Sequence, residues 1–449
     1  MNIDGVSTDE LSTGELSTDE LSTDDVGVTE PTEPTEPVGA RGAHRAAETR
    51  ADRLRAFGAR FGRRFGAPLA LYGAVKLVGL LVLLRLLAYS GTYRTNTPRY
   101  GGGAKPWDVL GSWDGWWYQD VAAHGYHPAL TPMAPLGPFT MEQNSIAFFP
   151  LYPGLIRLVS EVTGLGLYGA GMLVSVVASF VAAAGIFALT ERLTGSRRAG
   201  VLAAGLWAVF PASAVQWSVY SEALFTALAV WACYAVLARR WYTAGLLTLA
   251  TGLTRPSAVT LIAGVCLAAL LALWRREGKQ GGPVFAFFAA PLGLGGYLTW
   301  LGFQLHDFTG YFTLQRQGWA HSFDWGANAF KSVQGLLLGR YDYLFPYPTE
   351  DLVGLAVLMC LPVLVLLLLR LRPPAVLVVY TLGTLAMIIL SQQMFGTISR
   401  FVMPLFPLAI PLALALRRMS RGQAIALLLI LGAISGWYGG YAIFNLGVP

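Results

Sequence analysis

Past residue 64 the chain carries almost no charge. The first 64 residues hold 13 of the 26 acids and 8 of the 32 lysines and arginines, so the other 385 residues share 37 charges. A soluble protein carries about 25% charged residues, whereas this chain has 13%, with 54% hydrophobic residues. That leaves too little polar surface to cover a water-soluble globule. The expected fold class is an all-α, polytopic membrane protein. The net charge of +6 is then a matter of topology, and no nucleic-acid partner is implied. Cys233, Cys266 and Cys360 all sit in apolar runs without metal-ligand spacing, so neither a disulfide nor a zinc site is expected.

Three regions follow in order. Residues 1–40 form an acidic tail with repeated Ser-Thr-Asp-Glu-Leu and Thr-Glu-Pro units. Such a segment buries too little apolar area to offset its ordering entropy, so it is expected to be a disordered cytoplasmic tail. Residues 41–66 reverse the sign with eight arginines against Glu48 and Asp52, a basic juxtamembrane segment. Residues 67–449 are the transmembrane domain.

Against a span of about 20 residues, apolar runs fall at 67–90, 167–190, 200–217, 222–238, 243–255, 256–274, 283–304, 351–370, 374–392, 401–416 and 423–443, about 11 candidate spans. The run at 243–255 is short and ends at Thr254-Arg255-Pro256, the mark of a broken or tilted helix. Residues 149–163, interrupted by Arg157, read as a helix lying on the outer surface or re-entering. With the N-terminus cytoplasmic, every arginine pair or cluster between spans falls inside, as at Arg192/Arg197/Arg198, Arg239/Arg240 and Arg417/Arg418/Arg421. Of the 13 acids after residue 64, only Glu191 and Glu277 then fall inside. The expected location is the plasma membrane, with candidate chemistry on the outer face and two long outer segments, 91–148 and 305–350.

The first outer segment contains Trp113-Asp114-Gly115-Trp116-Trp117-Tyr118-Gln119-Asp120 and then His124-Gly125-Tyr126. At helical spacing Trp113, Trp116, Trp117, Asp120 and His124 share one broad face. Tryptophan favours the water–lipid boundary. The segment is either an aromatic anchor with solvated acids or a belt holding a carboxylate at headgroup depth, where it serves as a general base. Tyr220-Ser221-Glu222 precedes a span, so Ser221 and Glu222 read equally as a helix cap with its first-turn acid. Arg255 costs roughly 2.5–3.5 kcal/mol at mid-bilayer and is expected at a polar cavity or an anion instead. Arg400, ahead of Pro404 and Pro407, repeats that pattern. Lys76 and Arg85 lie inside the first run, either snorkelling or paired with an acid.

Trp113-Asp114 with His124-Gly125-Tyr126, then Phe148-Phe149-Pro150-Leu151-Tyr152-Pro153, Tyr220-Ser221-Glu222, Thr254-Arg255-Pro256 and Arg400 come in the order of the motifs of the GPI mannosyltransferase II (PIG-V-type) family. Over roughly residues 70–420 the chain resembles bacterial relatives of that family. The resemblance implies a GT-C glycosyltransferase, with interfacial helices in the first outer loop, that moves a sugar, mannose in this family, from a polyprenyl-phosphate carrier to a glycan, lipid or protein acceptor. It places the general base at Asp114. Arg255 and Arg400 then take the donor phosphate, and Trp113, Asp120, His124, Tyr220 and Glu222 bind substrate. The loop lacks the paired acids of some GT-C families, so no cofactor is expected, with Asp108 and Asp120 leaving a divalent metal open. The alternative from another class is a lipid or sugar-lipid transporter, which needs the arginines but no base at Asp114.

Overall fold

Prolines and glycines decide which apolar runs become full crossings. The computed structural model describes residues 50–340, 349–392, 395–447 and 449, so the expected tail over 1–40 lies outside the described residues. Ala59–Pro449 is one compact unit and Met1–Gly58 a second, of which only the start of α1 (Arg50–Ser90) is described.

All eleven apolar runs carry helices, but not eleven full-length ones. Among the described residues five segments are long and apolar enough to cross a membrane: Gly58–Ser90 in α1, Leu167–Thr194, Gly281–Leu305, Thr349–Arg370 and Arg421–Leu446. A sixth is broken by 78° between Phe395–Phe401 and Phe406–Leu416. Pro404 and Pro407 stand in and just after that break, and each removes a backbone donor and bends the helix. The runs at 222–238, 256–274 and 374–392 give helices of 16, 17 and 16 residues. Those at 200–217 and 243–255 give helices of only 12, about 18 Å at 1.5 Å per residue. The first of these stops at Ala208, before Phe210-Pro211, and the second at Gly252, before Arg255-Pro256. Among the described residues, five or six of the eleven expected runs are crossings by helix length and composition, and the other five carry shorter apolar helices.

In chain order the helices are α1, α2 (Asp114–His124), α3 (Leu151–Thr163), α4 (Leu167–Thr194), α5 (Arg197–Ala208), α6 (Glu222–Leu237), α7 (Trp241–Gly252) and α8 (Ala258–Trp274). Then come α9 (Gly281–Ala289), α10 (Leu292–Leu305), α11 (Gly310–Gly318), α12 (Ala327–Leu337), α13 (Thr349–Arg370) and α14 (Ala375–Leu390). The series ends with α15 (Ile398–Phe401), α16 (Ala409–Leu416) and α17 (Arg421–Gly436). The α4–α6 helices pack around a core that includes Phe187, Trp207, Phe225, Ala182 and Ala183. Small residues let such backbones approach closely. Large apolar side chains such as Leu173, Val177, Val181 and Leu366 stay exposed on long helices, as expected of lipid-facing positions and not of a water-soluble surface. The chain is an all-α, polytopic membrane protein.

The α3 helix has 13 residues and buries only Tyr152, Pro153 and Ile156, too short to cross. Lys76 is buried and meets no carboxylate among the described residues: its Nζ donates to the Ser213 carbonyl at 2.5 Å, while Arg85 is exposed.

Candidate active site

Four separate breaks in helical structure converge on one point. The first is the start of α2. Trp113, just before it, has φ 57°, a left-handed conformation that strains a bulky residue and tends to mark functional sites. Its N–H donates to the Arg99 carbonyl at 2.8 Å. Asp114 opens the helix. Gly115 allows α2 to press on the chain ahead of α6, where an added Cβ would stand 3.1 Å from the Val219 carbonyl oxygen. The second break is the turn into α6. There the Val219 N–H donates to Leu110 O at 2.9 Å, and the Tyr118 and Ser221 hydroxyls meet at 2.7 Å. The third is Thr254-Arg255-Pro256 between α7 and α8, and the fourth is α15, which carries Arg400.

At that point four charged groups form one cluster. Arg400 Nε donates to Glu222 Oε1 at 2.6 Å, its Nη2 pairs with Asp114 Oδ2, and its Nη1 donates to the Pro449 main-chain oxygen at 2.6 Å. Arg255 Nη1 lies 2.6 Å from the same Glu222 Oε1. The Glu222 and Arg400 side chains are 1% and 5% exposed, Arg255 14% and Asp114 24%. Two acidic side chains therefore face two basic ones, as a poorly hydrated site requires. Tyr220, fully buried, lies 4.7 Å beneath the Arg400 guanidinium, a cation–π contact.

Two cavities meet at this cluster. One of about 320 Å³ includes Asp114, Trp113, Trp117 and Tyr118 in its wall. The other, about 290 Å³, includes Glu222, Phe225, Thr384 and Ile388. Arg255, Arg400, His321 and Phe401 wall both. The indole N–H groups of Trp113 and Trp319 are buried with no acceptor among the described residues, and both rings line the first cavity. Such donors suit the oxygens of a polar ligand. His321 is held beside the cavities by a short antiparallel pairing of Ser322–Phe323 with Ser391–Gln392. Its ring keeps some open surface, yet the packing around it withholds enough water to pull its pKa down to about 4. Asp114 opposes that shift, and Arg400 and Arg255 reinforce it. His321 is thus neutral at neutral pH.

Of the residues singled out from sequence, Asp114, Glu222, Arg255 and Arg400 come together, Trp113 lines the first cavity, and Tyr220 supports Arg400 from below. Asp120 and His124 do not join them. They pair with each other at 3.0 Å and line neither cavity. The reason is the helix start: once α2 begins at Asp114, its cavity face is Asp114, Trp117 and Tyr118, at i, i+3 and i+4. Asp108 caps its own turn by accepting from the Lys105 N–H at 2.9 Å. Among the described residues no group of three or more His, Cys, Asp or Glu is placed to hold a metal ion. Arg99, Gln143, Gln315, Trp319 and His321 also line the first cavity and carry no motif in the sequence. The alternation of Trp319 and His321 in a polar stretch was the faint signal available.

No family model matches the chain, and no curated protein matches it. Solved structures that it is similar to include ArnT from Cupriavidus metallidurans bound to undecaprenyl phosphate, at 13% identity and a TM-score of 0.48, covering 84% of this chain and 76% of that one. Another is the Archaeoglobus fulgidus oligosaccharyltransferase tethered with an acceptor peptide, at 13% identity and a TM-score of 0.44, covering 85% of this chain and 56% of that one. The archaeal oligosaccharyltransferase AglB from the same organism, in complex with an inhibitory peptide and a dolichol-phosphate, is 12% identical with a TM-score of 0.42, covering 87% of this chain and 57% of that one. The chain thus spans little more than half the length of these archaeal proteins.

Proposed function

We propose that the chain is a membrane glycosyltransferase of GT-C type, a mannosyltransferase on the motif resemblance, that moves a sugar from a polyprenyl-phosphate carrier to an acceptor at the outer face of the plasma membrane. The observation that carries this reading is the cluster itself. A carboxylate, Asp114 at the start of α2, and an arginine, Arg255 between the apolar helices α7 and α8, stand on one cavity wall. A lipid phosphate keeps its tail among such helices and its charge at their ends. In the proposed step the acceptor hydroxyl oxygen attacks the anomeric carbon. The bond from that carbon to the phosphate oxygen breaks, and the phosphate leaves with the electron pair. Asp114 takes the hydroxyl proton, and the configuration inverts.

The two arginines divide the work. All three Arg400 nitrogens are engaged by Glu222, Pro449 and Asp114, which makes Arg400 an organiser of both carboxylates. Arg255 meets Glu222 and Ser221 through Nη1 alone. Its Nε and Nη2 have no acceptor among the described residues and are open to phosphate oxygens. Charge developing on the leaving phosphate is stabilised there.

Purified protein in nanodiscs is expected to bind undecaprenyl phosphate. Arg255→Ala should weaken that binding about tenfold or more and Arg255→Lys should restore only part, because an ammonium lacks the planar fork. Unchanged affinity in Arg255→Ala would remove the phosphate assignment. In cells lacking the gene a polyprenyl-phosphate sugar should accumulate. A transporter would instead redistribute that lipid between leaflets and show no transfer product.

The outward orientation has its own check. Glu222 opens α6 and Arg239-Arg240 follow its end, so the cavity and that arginine turn lie at opposite ends of one helix. Ala104 is exposed in the 91–148 segment. With the native cysteines replaced by alanine, Ala104→Cys should react with an impermeant thiol reagent in intact cells. Reaction only after lysis would turn the site inward.

A further inference from the structure

Arg99 is the charge the cluster does not balance. Asp114 and Glu222 are matched by Arg255 and Arg400. Arg99 lines the same cavity as Asp114 and has no carboxylate partner among the described residues. Glu142, next to Gln143 in the chain, is exposed and pairs with no base among the described residues. The Arg99 guanidinium is half-buried between three aromatic faces, 4.8 Å from Trp117, 4.9 Å from Trp116 and 5.3 Å from Tyr100. The rings hold the plane of the fork. They accept none of its in-plane N–H groups, of which an arginine has five. One nitrogen, Nη2, donates to Gln143 Oε1 at 3.0 Å. No other protein acceptor faces the group among the described residues. A cation fixed on a cavity wall with unused donors is a built anion subsite.

We infer that Arg99, positioned by Gln143 and the surrounding Tyr100, Trp116 and Trp117 rings, binds an anionic group, phosphate or carboxylate, on the acceptor. The inference rests on the transferase reading and narrows its acceptor to an acidic one. Arg99 lines only the first cavity, with Asp114, whereas Arg255 also faces the second. The donor phosphate and the acceptor anion therefore have separate cations.

The test uses the full chain in phosphatidylcholine nanodiscs, titrated with mannose, mannose 6-phosphate and glucuronate, and separately with undecaprenyl phosphate. At least one of the two soluble anions should bind about tenfold or more tightly than mannose, since charge-assisted hydrogen bonds are roughly twice as strong as neutral ones. Which anion it is names the acceptor group. Arg99→Met should abolish the preference, Arg99→Lys should keep part of it, and neither should alter undecaprenyl phosphate binding. Should Arg99→Met fail to fold, Gln143→Leu carries the test, because it leaves the surrounding aromatic rings intact and should still reduce the preference. Equal binding of all three sugars, or a preference that survives Arg99→Met, overturns the inference. So does competition between the soluble anion and undecaprenyl phosphate, which would put both on Arg255. Failure of the native chain to bind undecaprenyl phosphate would sink the donor reading alone and leave the Arg99 comparison readable.

Discussion

Asp114→Asn should lower sugar transfer by about 10²–10⁴-fold, the range typical of a lost general base, while undecaprenyl phosphate binding survives. Asp114 Oδ2 is taken by Arg400, and Oδ1 has no protein partner among the described residues. The second oxygen is therefore the one that meets an acceptor hydroxyl. Asparagine keeps the size and a hydrogen bond but cannot take the proton. Asp120→Asn should have little effect, because that carboxylate pairs with His124 and lines neither cavity. Both variants are measured in membranes supplied with a polyprenyl-phosphate sugar and an acceptor extract. Near-normal transfer by Asp114→Asn would remove it as the base. A dead Asp120→Asn beside it would move the chemistry to the opposite face of α2.

The largest expected effect on stability is at Glu222. Its Oε1 is shared by Arg255 and Arg400, and its side chain is 1% exposed. Glu222→Ala leaves two guanidinium groups with Asp114 as their remaining carboxylate among the described residues. Removing one partner of a buried ion pair typically costs about 3–5 kcal/mol. Thermal unfolding in a fixed detergent should show a fall of several degrees, and Glu222→Gln a smaller one. Adding Arg255→Met to Glu222→Ala should recover part of the loss, because it removes one unbalanced cation. A Glu222→Ala protein as stable as the native chain would mean that Glu222 only opens α6, as a first-turn acid does.

Much of the architecture was legible because the bilayer imposes it. A segment in lipid must be apolar and must satisfy its own backbone, so every long apolar run could be recognised as a helix from composition alone. Helix length was harder to read. The runs at 200–217 and 243–255 look like spans by hydropathy, yet Pro211 and Pro256 stand where their helices have already stopped. Hydropathy sums over a window, and one missing N–H does not register in it.

The site divides in the same way. Asp114, Glu222, Arg255 and Arg400 stood out singly, because a charge in or beside an apolar run is costly enough to need a reason. Their sequence positions alone do not reveal that they compensate one another: Glu222 and Arg400 are 178 residues apart, and Arg400 and Asp114 are 286 apart. Asp120 and His124 were expected to bind substrate beside Asp114, but the start of α2 turns them away from the cavity. Arg99 and Gln143 had no signal, because an arginine or a glutamine in a polar outer segment is ordinary there. The sequence by itself determined that the chain lives in a membrane, that its long runs are helical and that its unusual charges lie at helix ends, since each follows from transfer free energy along the chain. Only the tertiary structure decided which charges neutralise each other and which remain to meet a ligand, because that balance depends on distances between segments.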